Sequence, residues 1–143
     1  MNKGVIATLV AVLVGGVAFM LTQEKPAEEK ATPALAADVK IGVLLGFTGP
    51  IESLTPDMAS GAELAMKEAS DSGAFMSGSK VISVRGDSTC VDAAAATATA
   101  ERLITSDGVS AIMGADCSGV TTAVLQNVAL AKGVVMISPS ATS

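Results

Sequence analysis

Apolar and polar positions alternate along this chain in blocks of consistent length. Residues 4–21 are an apolar run with no charged residue, preceded by Lys3. Residues 22–37 turn polar and hold Pro26 and Pro33, a composition that suits a linker without a core of its own. From 38 onward the pattern becomes regular. Residues 39–46 (Val-Lys-Ile-Gly-Val-Leu-Leu-Gly) form a short apolar run bounded by Thr48, Gly49 and Pro50, which predicts a buried strand and a turn. Over 54–70, Met58, Ala62, Ala65, Met66 and Ala69 recur at spacings of three and four, while Glu63, Lys67 and Glu68 can face water. This predicts a helix. Gly73 and Gly78 interrupt the chain. A second strand is expected at 80–85. An Ala-rich helix follows at 92–106, ended by Asp107 and Gly108. A third strand is expected at 109–114, and a third helix at 118–131 with Val120, Val124 and Val128 four apart. Lys132 and Gly133 supply a favourable end charge and a C-terminal cap. A fourth strand, 134–138, is closed by Pro139.

Strands and helices in strict alternation predict an α/β fold: a Rossmann-like (flavodoxin-like) parallel sheet with helices on both faces and right-handed crossovers. Ligands of such sheets bind beyond the carboxyl ends of the strands. Four loops meet that edge, at 46–53, 86–91, 115–118 and 138–143. The expected division is an export segment at 1–21, a linker or cleavage region at 22–37, and a ligand-binding lobe at 38–143. A chain of 143 residues can build one compact core and not two.

The apolar run at 4–21 shows no polar face, unlike a core helix, so it reads as a signal peptide or a signal anchor. Its 18 residues sit at the lower limit for spanning a bilayer. Ala34-Leu35-Ala36 before Ala37 has the small-x-small form of a cleavage site, and a site after Ala18 is the alternative. No cysteine follows the run, so a lipid-anchored form is not supported. Contact with a membrane is expected only through 4–21, and only if that segment is kept. The expected location is periplasmic, with anchoring to the inner membrane left open.

Composition narrows the chemistry. The net charge is −5 and no basic patch exists, which argues against nucleic acid as a partner. Histidine is absent, which removes the commonest general base and metal ligand. Two cysteines are too few for a cysteine-only zinc site. No metal and no cofactor is expected. Cys90 follows the second strand and Cys117 the third, so both lie at one edge of the sheet. Export to an oxidising compartment makes a disulfide the natural reading. Two unpaired buried thiols are the alternative. A redox pair is disfavoured by the lack of Cys-x-x-Cys spacing.

Several pieces in order resemble the receptors for leucine, isoleucine and valine of the type I periplasmic-binding-protein fold. They are Lys-Ile-Gly-Val-Leu-Leu-Gly-Phe-Thr-Gly-Pro at 40–50, Gly-Ala-Glu-Leu-Ala at 61–65, Asp-Ser-Thr-Cys at 87–90, Ile-Met-Gly at 112–114 leading to Cys117 and Ser118, and Ile-Ser-Pro-Ser-Ala-Thr at 137–142. The resemblance runs from Val39 to the last residue. It implies the N-terminal lobe of a two-lobed receptor, with a second lobe expected beyond this sequence. It also implies that Cys90 and Cys117 are bonded, and that Ser118 contacts a ligand α-carboxylate. Ser140 would offer its backbone carbonyl to the ligand ammonium, and Thr142 its hydroxyl and backbone. Helix physics agrees at Ser118, since free N–H groups and a positive dipole end attract an anion. The plain alternatives are an N-cap at Ser118 and an ordinary turn at 138–142.

This sequence departs from the pattern in three places. Leu54 stands where an aromatic residue is frequent near the ligand side chain. Gly119 and Val120 replace hydroxyl residues, leaving Gly119 to contribute only backbone. Asp116 puts a carboxylate beside a carboxylate-binding site, which would weaken anion binding unless it points away. The expected ligand is therefore an amino acid, a short amide or another small polar solute.

The resemblance implies delivery of the solute to an ABC permease in the inner membrane. A membrane-anchored sensory or regulatory domain of the same fold is the second reading. An enzyme is not expected. No Gly-x-Gly-x-x-Gly opens the first helix, there is no phosphate loop and no Gly-x-Ser-x-Gly elbow, and Pro50 stands where a phosphate-binding amide would be needed.

Overall fold

The computed structural model describes residues 37–142. The expected export segment at 1–21, and all of the expected linker except Ala37, lie outside them. The first strand, β1 (Val39–Leu45), ends in a continuous apolar stretch. Val43, Leu44 and Leu45 are fully buried. Successive strand residues point to opposite faces, so a continuous apolar run requires cover on both. Leu44 packs with Ala96, Ala100, Leu103, Val120, Val124 and Val128 on one face. Val43 and Leu45 turn the other way, into a cluster with Ala59, Met58 and Met66. Helices therefore cover both faces, as expected. α1 (Thr55–Asp71) covers one face, and α2 (Ala93–Thr105) and α3 (Ser118–Val124) cover the other.

The remaining strands are β2 (Val81–Asp87), β3 (Ala111–Gly114) and β4 (Val135–Ile137). The sheet order is β2-β1-β3-β4 and every pairing is parallel. β2 runs two residues beyond the expected end because Gly86 and Asp87 pair with Leu44 and Leu45. A polar Asp looks like loop in sequence, yet the partner strand extends the ladder over it. β3 starts later than expected. Val109 N–H bonds to the Leu103 carbonyl (3.0 Å) and Ser110 N–H to the Lys40 carbonyl (2.8 Å), so the two residues serve as a connector. A 3-10 turn at Phe75–Gly78 was not expected from the sequence.

The third helix also departs from regularity. α3 continues through a π-helical stretch, Leu125–Ala129, into a last turn α4 (Leu130–Lys132). Residues four apart overshoot a 3.6-residue turn, and a wider π turn returns the later one to the inner face. Val120, Val124 and Val128 are all buried. Gly133 closes the helix in the left-handed conformation (φ 64°). Lys132 also pairs with Glu101 of α2 at 2.9 Å.

Candidate functional site

All four strands run the same way, so their carboxyl ends share one edge, and the four following loops meet there. The β3 loop is the tightest. Gly114 has φ +132°, and a Cβ at this position would lie 2.0 Å from the Leu44 carbonyl oxygen, so no other residue fits. The turn beyond it brings Asp116 inward, where it is 3% exposed. One carboxylate oxygen accepts from Gly46 N–H (2.8 Å). The other accepts from the Ser88 hydroxyl (3.2 Å) and from Cys117 N–H (3.0 Å). Asp116 therefore points into the loops rather than toward the open side of the edge. Gly46 sits close against this group. A Cβ there would lie 3.2 Å from Cys90 Cβ and 3.4 Å from the Asp116 oxygen.

Cys90 and Cys117 are disulfide-bonded, joining the loops after β2 and β3. The alternative of two free thiols is excluded. Asp87 ties the first loop to the second. It accepts from the Thr48 hydroxyl (2.6 Å), Thr48 N–H (3.3 Å) and Thr89 N–H (2.9 Å). Burial pushes its carboxyl upward, but hydrogen bonds from Thr48 and from the amides of Thr89, Thr48 and Phe47 outweigh that and hold it below the usual carboxylate range. Arg85 lies over the Phe47 ring (5.4 Å) and forms a two-point pair with Glu63 at 2.7 Å. That guanidinium, helped by the Ser83 hydroxyl, holds Glu63 below its ordinary range against the opposing effect of burial.

The start of α3 is where the expected site residues gather. Cys117, not Ser118, occupies the N-cap position, and no side chain caps the helix. The first in-helix bond runs from Thr121 N–H to the Cys117 carbonyl (2.9 Å). The amides of Ser118, Gly119 and Val120 precede it, in the turn where helix N–H groups lack an intrahelical acceptor. No acidic residue lies in that turn. The Ser118 hydroxyl accepts from Thr142 N–H at 3.1 Å, bringing together two residues 24 positions apart. Capping of its own helix by Ser118 is thus replaced by a bond to the last loop. The Ser140 hydroxyl donates to the Asp116 carbonyl (2.7 Å), and the Ser138 hydroxyl donates to the Ala115 carbonyl. Loop 138–142 is therefore fastened to the start of α3 and is more than an ordinary turn. Gly119 is exposed in the first turn with open space around it. Leu54 is not drawn into this group. It caps α1, is 60% exposed, and its backbone bonds stay within its own turn, to Ile51 and Met58.

Sequence reading did not assign roles to Ser88, Thr48 or Asp87, and it marked Asp116 without orienting it. The available signal was a short polar residue at or within three positions of a strand end (Thr48, Asp87, Ser88 and Asp116), a pattern equally common in plain turns.

Chemically, the edge offers hydrogen-bond donors and a positive dipole end at α3, beside two hydroxyl residues, with the adjacent Asp116 carboxylate turned inward. Comparisons with known proteins place the chain in a family. The chain is 37% identical over 119 residues to a Leu/Ile/Val-binding protein homologue of Brucella melitensis, a match covering 83% of this chain and 25% of the relative. The chain spans about a quarter of the length of the curated relatives it matches. Among solved structures it is similar to the branched-chain amino acid transporter substrate-binding protein LivJ of Streptococcus pneumoniae, determined in complex with isoleucine. The TM-score is 0.67 and the identity 33%, over 74% of this chain and 30% of that one. It is also similar to an ABC-transporter solute-binding protein of Rhodopseudomonas palustris in complex with benzoate. Here the TM-score is 0.62 and the identity 27%, over 73% of this chain and 28% of that one. The model of one family, periplasmic binding protein, matches residues 38–143, and this chain belongs to that family.

Proposed function

We propose that this chain supplies one wall of the solute cleft of an extracytoplasmic receptor that hands a small carboxylate-bearing solute to an ABC transporter. The observation that carries the reading is the uncapped start of α3, with Ser118 joined to Thr142 beside it. The amides of 118–120 and the Ser118 and Thr142 hydroxyls would hold the carboxylate. The Ser140 carbonyl would meet an ammonium, as in amino acid capture. Leu54 would border the solute's side chain from the first loop. The relatives support a branched-chain amino acid as the first choice, and a benzoate-type acid as the second, since both solutes present a carboxylate. No step is catalytic in this reading. Specificity for the rest of the solute would come from a second wall, and the loaded receptor would dock on the permease in the periplasm.

A thermal-shift panel on the full-length protein tests this, using leucine, isoleucine and valine, their amides, and benzoate. Bound acid should stabilise by about 2.7 kcal/mol at a hundredfold excess over Kd. Stabilisation by the amides with none by the acids would sink carboxylate capture. Stabilisation by a nucleotide alone would sink the transport reading.

A further inference from the structure

Asp116 is the residue at which all four loops of the carboxyl edge converge. Its side chain takes Gly46 N–H from the first loop, the Ser88 hydroxyl from the second and Cys117 N–H from its own. Its backbone carbonyl takes the Ser140 hydroxyl from the fourth. It is 3% exposed, and none of its carboxylate partners is a cation. We infer that Asp116 is a positioning residue for solute capture: it sets the relative placement of the first loop, the start of α3 and the loop carrying Ser140 and Thr142. The inference rests on the solute-binding reading for its functional meaning, though not for its geometry.

The donor pattern makes the carboxylate specific. Gly46 N–H and Cys117 N–H can only donate, and they address different oxygens of Asp116. An amide at this position has one oxygen and one NH2 group, so it must turn a donor toward one of those amides whichever way it is flipped. A buried donor left unsatisfied in this way is disfavoured, and the nearest relief is movement of a loop. Leucine at 116 would release all three donors at once. Ser88 is the mild probe, because its hydroxyl can donate or accept and its own N–H remains bonded to the Leu45 carbonyl (2.8 Å).

The test uses the full-length protein with Asp116→Asn and Ser88→Ala, and reads two quantities. The first is amide hydrogen exchange in peptides covering 45–48, 138–142 and, as internal control, α2. The second is Kd for L-isoleucine and for benzoate, measured well below the melting temperature. With Asp116→Asn, exchange at 45–48 and 138–142 should rise about tenfold while α2 stays protected, and Kd should weaken by about tenfold. Ser88→Ala should move the same two segments in the same direction by a smaller factor. It carries the test should Asp116→Asn not yield folded protein. Exchange that rises equally in α2, with Kd unchanged, would show Asp116 to be a stability residue only and overturn the inference. So would wild-type exchange in both loops. A wild-type protein that binds neither acid counts against the proposed function instead, and the exchange pattern then decides the role of Asp116 by itself.

Discussion

Two helices begin at the same edge of the sheet, and their first turns differ. α2 is closed by its own sequence. The Asp92 side chain accepts from Ala94 N–H (2.9 Å) and Ala95 N–H (3.0 Å), so a carboxylate already occupies its positive end. α3 has no such cap, no acid in its first turn, and a Ser118 hydroxyl turned to Thr142. The two starts are joined, since the disulfide links Cys90, just before Asp92, to Cys117, just before Ser118. A helix start completed by its own side chain is structural. One left open and flanked by fastened loops is the start that the proposed function assigns to the solute carboxylate. The difference between them is a single short acidic residue at the cap position.

The largest expected effect comes from cutting the link between the two. A Cys90→Ala/Cys117→Ala variant should lose about 3–4 kcal/mol of stability in denaturant unfolding, from a cross-link spanning 27 positions. An unchanged midpoint would mean the hydrogen-bonded loops hold the edge without it. The next effect makes α3 resemble α2. Gly119→Asp adds an acid to an exposed first-turn position with free space. It should weaken isoleucine binding by about tenfold or more while leaving the melting temperature equal or slightly higher. Binding that survives this change would mean the open start does not hold the solute. The reverse change opens α2: Asp92→Ala should cost about 1 kcal/mol of stability and leave solute affinity unaltered.

The smallest effect concerns acid. Asp87 is held below its ordinary value, so its tie between the first two loops is fully present above about pH 4 and fades as the pH falls below that, through the depressed folded value. Stability followed from pH 6 to pH 2 should decline over that acidic range, and Asp87→Asn should flatten the decline. A curve identical to wild type would assign the acid sensitivity elsewhere, with Glu63 beside Arg85 the first candidate by the same sign.

Sequence alone was informative wherever a property is local. The run at 39–46 read as a strand covered on both faces, because it is short, apolar and closed by a turn signal at Thr48-Gly49-Pro50. The small-residue helix at 92–106 was legible in its extent, since Asp92 and Ser106 are the residues flanking α2, while the capping role of Asp92 came from the structure. The alternation of elements fixed the shared edge, and with it the neighbourhood of Cys90 and Cys117. Tertiary structure decided what depends on direction. Nothing local tells Asp116 to face Gly46, 70 positions away, rather than the open side of the edge. Nothing local tells Ser118 to bond Thr142 rather than cap its own helix. The π turn at Leu125–Ala129 was not announced by the regular spacing of Val120, Val124 and Val128, all three of which are buried. Periodicity encodes which residues are buried. The orientation of a short polar side chain is set by donors and acceptors brought near it by the fold, and those lie far away in the chain.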